Sequence, residues 1–297
     1  MHKPPCVSVI VVNWDRKDEL KECLESVLNQ TFKDIELIVV DNHSTDGSIE
    51  MLRDEYPAVK LIVLPDSSYG PCEAFNIGFA NAVGEFCVVM DNDALLEDNW
   101  VLCALREFKT DSQLGCLSGR VLNYYTGHDW GFWNYGLSDA WQEKSFFTST
   151  FAGCAAVIKK EAIDKVGGYP AEYFLYWNEF ALGAAIINAG YEIKYVPSLI
   201  AYHKVAEARR PGARHYYYMT RNGYWYFWTY FPLYLAVKHS LIHFFTSLWW
   251  LVTDPRLFLN NPLLFLKASV DTFKGLSDVV QKREPIADRD VLRPIKW

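Results

Sequence analysis

Two aspartates one residue apart, Asp91 and Asp93, stand directly after an apolar run from Phe86 to Met90. Alternate residues of an extended chain share a face, so both carboxylates can reach one side of a strand end. A hard cation such as Mn2+ or Mg2+ takes oxygen ligands from one or two carboxylates and completes its shell with substrate phosphates. There it would offset the charge of a departing diphosphate. An isolated Asp-x-Asp more often solvates a turn or caps a helix, so the weight comes from its company. Two other apolar runs also end in polar residues, Asn13-Trp14-Asp15 and Asp41-Asn42-His43-Ser44-Thr45-Asp46-Gly47. Asp41 could accept from a base imide N–H or a ribose hydroxyl, while Ser44, Thr45 or Asp46 serves the amides of a helix starting near Ser48.

These residues need a scaffold that gathers strand ends. Val7 to Trp14, Ile35 to Asp41, Val59 to Leu64 and Glu85 to Asp91 read as strands, and Lys17 to Asn29, Ser48 to Glu55 and Cys72 to Val83 as amphipathic helices between them. Continuous apolar strands alternating with helices predict a parallel sheet covered on both faces. Ligands of such sheets bind beyond the carboxyl ends of the strands, where the polar residues stand. From Leu117 to Phe151 the pattern weakens into a mixed sheet or long loops holding Tyr124, Tyr125, Trp130, Trp133, Tyr135 and Trp141. A helix from Glu172 to Ala189, closed by Gly190, precedes a strand from Tyr191 to Val196 that ends near His203.

A chain of 297 residues has room for one large α/β domain and an appendage. Its net charge of −7 excludes a general nucleic-acid binder. The seven cysteines are odd in number, scattered and without a CxxC pair, which points to reduced cytosolic thiols, neither a disulfide framework nor a zinc site. Residues 1–6 carry no apolar segment of the kind a secretion signal needs.

The chain resembles family 2 glycosyltransferases, in particular the rhamnosyltransferase-like and galactofuranosyltransferase-like branch. Val7 through Trp14 is similar to the family's opening strand, and Asp41-Asn42-His43-Ser44-Thr45-Asp46-Gly47 to its Asp-Asn-x-Ser-x-Asp-Gly signature. Gly70, Asn76, Gly78 and residues 82–85 follow its Gly-rich helix, and Asp91-Asn92-Asp93 stands where its metal motif belongs. Phe151 to Ala155, Gly167-Gly168-Tyr169, Phe174 to Glu179 and Val196-Pro197 through His203 continue the order to about residue 222. The resemblance implies a GT-A fold with a Rossmann-like, mostly parallel central sheet. It also implies inverting sugar transfer from a UDP-, dTDP- or GDP-linked donor to a glycan or lipid-linked acceptor, assisted by Mn2+ or Mg2+.

Residue by residue, the resemblance implies that Asp91, Asp93 and His203 hold the metal. It assigns the donor to Asn13, Asp41, Ser44, Gly70, Asn76, Asn92 and Arg221, and the acceptor to Gly153, Trp177 and Asn178. Glu179 falls at the position of the catalytic base, where Tyr176, Trp177 and Phe180 would raise its pKa by desolvation. The family's Glu-Asp is replaced here by Asn178-Glu179, and a usual Asp by Ala181. That departure keeps open a degenerate paralogue that binds a nucleotide sugar or a partner without catalysis. Arg209, Arg210, Arg214 and Arg221 form a basic stretch suited to phosphate, of which Arg221 is preferred because Asn222 follows it.

Residues 1–222 are expected to form the catalytic domain and 223–297 a helical extension. That extension opens with Tyr224, Trp225, Tyr226, Phe227, Trp228, Tyr230 and Phe231. Its apolar pieces are shorter than a bilayer crossing. Peripheral contact at the cytoplasmic face of a membrane is expected, with a homo-oligomer interface as the other use of the same surface.

Overall fold

The computed structural model describes residues 6–129, 142–204 and 212–287. Trp130, Trp133, Tyr135, Trp141, Arg209 and Arg210 lie outside the described residues. The expected alternation is present: β1 (Val7–Asn13), α1 (Lys17–Leu28), β2 (Ile35–Asp41), α2 (Ser48–Glu55), β3 (Lys60–Val63), α3 (Pro71–Asn81) and β4 (Phe86–Asp91). These strands pair in parallel in the order β3-β2-β1-β4. Their β-branched residues are buried to both sides. Val7, Val9 and Val11 meet α1 through Leu20 and Leu24, while Ile10, Ile38 and Val40 meet α3 through Phe75 and Phe79.

The second half follows as β5 (Ala94–Leu96), α4 (Trp100–Thr110), β6 (Leu114–Asn123), β7 (Phe146–Thr148), β8 (Ala155–Lys159) and α5 (Lys160–Val166). A 3-10 turn (Ala171–Tyr173), α6 (Asn178–Asn188) and β9 (Glu192–His203) come next. The helices α7 (Ala213–Tyr230), α8 (Leu233–Thr253), α9 (Pro255–Asn260) and α10 (Leu264–Gln281) close the chain. Beyond β4 the sheet reverses: β8 pairs antiparallel with β4, with Met90 opposite Ala155, and the order continues β8-β6-β9-β5. The register of the parallel β6–β9 pair shifts at Gly119, where an added Cβ would lie 1.9 Å from the Leu199 carbonyl. Past that shift, β9 runs on to set His203 opposite Ala94 of β5.

One expectation is corrected. The helix read from Glu172 begins only at Asn178, because Phe174, Tyr176 and Trp177 adopt φ of 64°, 63° and 62° and interrupt the turn. The boundary at residue 222 falls inside α7, and Trp225, Tyr226, Phe227 and Phe231 are buried in the core shared with α3 and α6. The first aromatic residues of the extension therefore belong to the body of the fold. Among the described residues, no helix is long and apolar enough to cross a membrane.

Candidate active site

The loops after β1 and β2 hold each other. Asp41 is fully buried, and its carboxylate accepts from the Ser44 amide (2.7 Å), the Ser44 hydroxyl (2.9 Å) and Asn13 Nδ2 (2.8 Å). Asn13 Oδ1 accepts from Asn92 Nδ2 at 2.7 Å, which ties the β2 loop to the β4 end. Asp46, of the three capping candidates, serves the amide of Ser48 at 3.0 Å and also that of Lys17 at 2.8 Å, joining the starts of α1 and α2. Gly47 takes φ of 89°, a left-handed conformation that glycine adopts without a Cβ clash. Asn13, Asp41 and Ser44 thus lie behind the rim, where they order it without lining the neighbouring cavity.

At the rim itself Asp91, Asp93 and His203 bring three ligand atoms within 4.8 Å of one another. His203 Nε2 lies 2.9 Å from Asp93 Oδ1 and 3.7 Å from Asp91 Oδ2, delivered there by the β5–β9 pairing. Two carboxylate oxygens and an imidazole nitrogen suit Mn2+ or Mg2+ with phosphate oxygens in the remaining positions. Burial, with the neighbouring Asp93 charge, pushes Asp91 up to about 6 against the pull of His203. Burial also opposes the charge of Asp93, but the His203 hydrogen bond and Arg16 outweigh it and hold Asp93 below the usual carboxylate range. His203 is raised, because Asp93 and then Asp91 outweigh its desolvation. An arriving cation would displace that imidazole proton.

A cavity of about 580 Å³ opens beside Asp91 and Asn92, walled by Trp14, Arg16, Tyr69, Phe174, Arg214 and Tyr218. Arg16 Nη1 lies 3.1 Å from Asp93 Oδ2. Arg214 stands 5.1 Å over the Phe174 ring, which stacks on Tyr218 at 5.2 Å. Phe174 in turn passes so near Gly70 that an added Cβ would lie 2.6 Å from its ring. Gly70 therefore shapes the wall by being small.

Two expected donor contacts are relocated. Asn76 spends its amide on the backbone of Tyr169, donating at 2.8 Å and accepting at 2.8 Å, and so holds the Gly168–Tyr169 turn. Arg221 donates to the carbonyls of Glu172 and Tyr173 and lies 4.2 Å over Trp225, away from the cavity lining. Among the described residues, the guanidinium groups at the cavity are Arg16 and Arg214. The sequence signal for Arg16 was its place just after Asn13-Trp14-Asp15; Arg214 stood in the basic stretch without a mark of its own.

Glu179, at the start of α6, presses on Gly153, where an added Cβ would lie 2.2 Å from its Oε1. Asn178 donates to that same oxygen at 2.8 Å. Gly153 leads into Cys154, whose carbonyl accepts the Asp91 amide at 3.2 Å, so Glu179 and the carboxylate pair share one edge of the sheet. Desolvation first, and the Asp91 charge after it, push Glu179 up to about 7. Trp177, expected at the acceptor, is buried in the core. Its ring packs against Phe180, Tyr226 and Phe227, and its Nε1 donates to the Met219 carbonyl at 3.0 Å.

Sequence sensing missed the support of this loop. Asn222, fully buried, donates to the carbonyls of Tyr173, Leu175 and Tyr176 within 3.0 Å, and accepts from Arg221. The adjacent Arg221 and Asn222 thereby clamp the segment that carries Phe174 into the cavity and Glu179 to Gly153.

The chain is 30% identical over 120 residues to the chondroitin synthase of Pasteurella multocida (39% of this chain, 12% of that protein). It is 25% identical over 222 residues to the probable glycosyltransferase YdaM of Bacillus subtilis (70% of this chain, 52% of that protein). It thus spans between about an eighth and a half of these relatives. Among solved structures it is similar to the mannosyltransferase PcManGT from Pyrobaculum calidifontis in complex with GDP-Man and Mn2+. The TM-score is 0.61 at 20% identity over 91% of this chain and 88% of that one. It is also similar to S. aureus TarS 1-349 in complex with UDP-GlcNAc, with a TM-score of 0.67 at 15% identity over 93% and 83% of the two chains. These likenesses show the fold as GT-A, a mostly parallel open sheet between helices with further helices at the C-terminus. Residues 8–167, more than half of the sequence, match the model of Glycosyl transferase family 2, and the chain belongs to that family.

Proposed function

We propose that this chain is a metal-dependent, inverting glycosyltransferase that moves a sugar from a nucleoside diphosphate donor to a glycan or lipid-linked acceptor. The observation that carries the reading is the placement of Asp91, Asp93 and His203 on the sheet edge to which Gly153 and Cys154 bring Glu179. Asp91, Asp93 and His203 would hold Mn2+ or Mg2+, which supplies Lewis-acid stabilisation of the leaving diphosphate. Arg16 and Arg214 add guanidinium forks on the cavity side, suited to phosphate oxygens. Glu179, poised near neutrality, accepts the acceptor hydroxyl proton at a carboxylate oxygen. The freed oxygen attacks the anomeric carbon opposite the nucleotide, and the configuration inverts.

The donors named with the similar structures, GDP-Man and UDP-GlcNAc, support a nucleotide-sugar donor without choosing the base. Transfer of a hexose or deoxyhexose, as in the rhamnosyl- or galactofuranosyl-like branch, fits a cavity of this size. We place the reaction at the cytoplasmic face of a membrane, where lipid-linked acceptors are built. A degenerate, non-catalytic paralogue is the second reading, raised by Asn178 and Ala181. It is disfavoured because Asn178 supports the base directly and Ala181 is a fully buried core residue.

The test is a panel of UDP-, GDP- and dTDP-sugars, each with and without Mn2+, read by thermal shift and by release of the nucleoside diphosphate. One nucleotide class should raise the melting temperature only with metal and be turned over. Metal-independent binding without turnover would support the paralogue instead.

A further inference from the structure

Much of the exposed large apolar surface of the molecule lies on α8, α9 and α10. On α8, Tyr234, Leu241, Phe245, Leu248 and Val252 fall at helical spacing along one face, flanked by Trp249 at 69% exposure. Leu259 of α9 and Leu266, Val270 and Phe273 of α10 add to it, with Leu259 76% and Phe273 72% exposed. The opposite side of α8 is firmly mounted. Leu235, Ala236 and Leu251 are buried, Tyr216 donates to the Ser247 carbonyl at 2.8 Å, and Trp228 Nε1 donates to Ser240 at 3.1 Å. A helix apolar nearly all round is ordinarily enclosed by protein or by lipid.

The charges on this surface select between the two. The chain as a whole carries −7, yet α8 has no acidic residue, and the whole face, residues 233–281, carries Lys238, Arg256, Lys267 and Lys274 against Asp254, Asp271 and Asp278, with Asp271 paired to Lys274 at 3.0 Å. Asp254 is engaged in capping α9 through the amides of Arg256 and Leu257. A symmetric contact between two copies of α8 would bring no acidic residue of that helix to Lys238. An anionic headgroup layer is complementary to it, and the aromatic rings suit the interfacial depth.

We propose that α8–α10 form a docking face that lies in the plane of an anionic bilayer surface, with the apolar face of α8 inserted among the lipids. This deepens the membrane placement proposed above but rests on surface chemistry alone, independently of the transfer reaction. The test floats the full chain with vesicles of phosphatidylcholine, with and without phosphatidylglycerol. Wild type should float with the anionic vesicles, less so as salt rises. Phe245→Glu/Trp249→Glu should lose at least about ten-fold in partitioning. Lys238→Glu and Lys267→Glu should each lose about five-fold on anionic vesicles only. These four residues stand apart from the donor cavity, so a thermal shift with Mn2+ and donor that equals wild type certifies the fold. Failure of folded wild type to float, or a stable dimer by sedimentation that Trp249→Glu dissociates, overturns the docking face. Sugar transfer to a soluble acceptor analogue under those conditions would leave the proposed reaction standing.

Discussion

The donor rim and the loop from Phe174 to Trp177 both use left-handed backbone, and they offset its cost in opposite ways. On the rim the residues are Asp15 and His43, types that tolerate this region, and Asp15 rewards its own turn by accepting from the Thr45 amide at 2.7 Å. In the loop the residues are Phe174, Tyr176 and Trp177, bulky side chains for which such a conformation costs roughly 1–3 kcal/mol each. Within the loop the Phe174 and Leu175 amides donate to the Ala171 and Tyr173 carbonyls. Further compensation comes from Asn222 and Arg221, about fifty residues on, through carbonyl hydrogen bonds and burial of the rings. The rim is locally determined, whereas the loop is held in place by the helix behind it.

That contrast can be broken by substitution. Asp93→Ala strikes the rim at its function and should lower transfer by roughly 10³-fold and abolish the Mn2+-dependent thermal shift, measured side by side. Glu179→Gln should cost transfer about 10²- to 10⁴-fold while donor binding stays, seen as a kcat loss with unchanged donor affinity. Wild-type kcat should fall below pH about 7 and level off above it, since the base must be ionised. The raised native pKa means that folding loses stability as pH climbs from the ordinary carboxyl range toward 7. Glu179→Gln should therefore melt no lower than wild type near pH 8, and a lower melting point would contradict the assigned shift.

Asn222→Ala should unclamp the loop without touching the rim. It strips the Asn222 donor from the Leu175 and Tyr176 carbonyls, while the Tyr173 carbonyl keeps Arg221, at a cost of about 2 kcal/mol in chemical denaturation. Displacement of Phe174 and Glu179 by an ångström should add roughly 10²-fold to the activity loss. The pH midpoint should move down as water reaches Glu179, a readout that a purely structural loss would not shift. Gly153→Ala has the smallest expected effect, about ten-fold on kcat with little change in melting temperature. It moves only the carboxyl that its Cβ would meet; a variant as active as wild type would remove Glu179 from the catalytic position.

The same contrast explains what the sequence disclosed. Strand ends β2 and β4 and the helices α1 and α2 lie within a residue of their expected limits, because apolar periodicity and local capping chemistry determine them. The gathering of Asp91 and Asp93 follows from the strand end alone, but His203 needs the shifted register past Gly119, which no periodicity displays. The late start of α6 escaped notice because helical propensity reads straight through Tyr173 to Trp177, and the groups that overrule it sit on α7. Asp41 and Trp177 are placed at ligands by the resemblance; in the structure both are buried and hydrogen-bonded within the fold, an arrangement that depends on partners distant in sequence.

The antiparallel ladder between β4 and β8 has five rungs, from Phe86 opposite Lys159 to Met90 opposite Ala155. It is the strand pairing that joins β3-β2-β1-β4 to β8-β6-β9-β5, and exchange of these halves between relatives should succeed wherever the ladder and the Asn76–Tyr169 and Gln30–Glu97 hydrogen bonds across the same junction are kept. Loops on either side can lengthen freely, whereas one residue inserted into β8 would turn its side chains to the opposite faces and carry Gly153 out of step with Asp91. Under the proposed reaction, acceptors and donors would then change separately, provided that one short seam stays in frame.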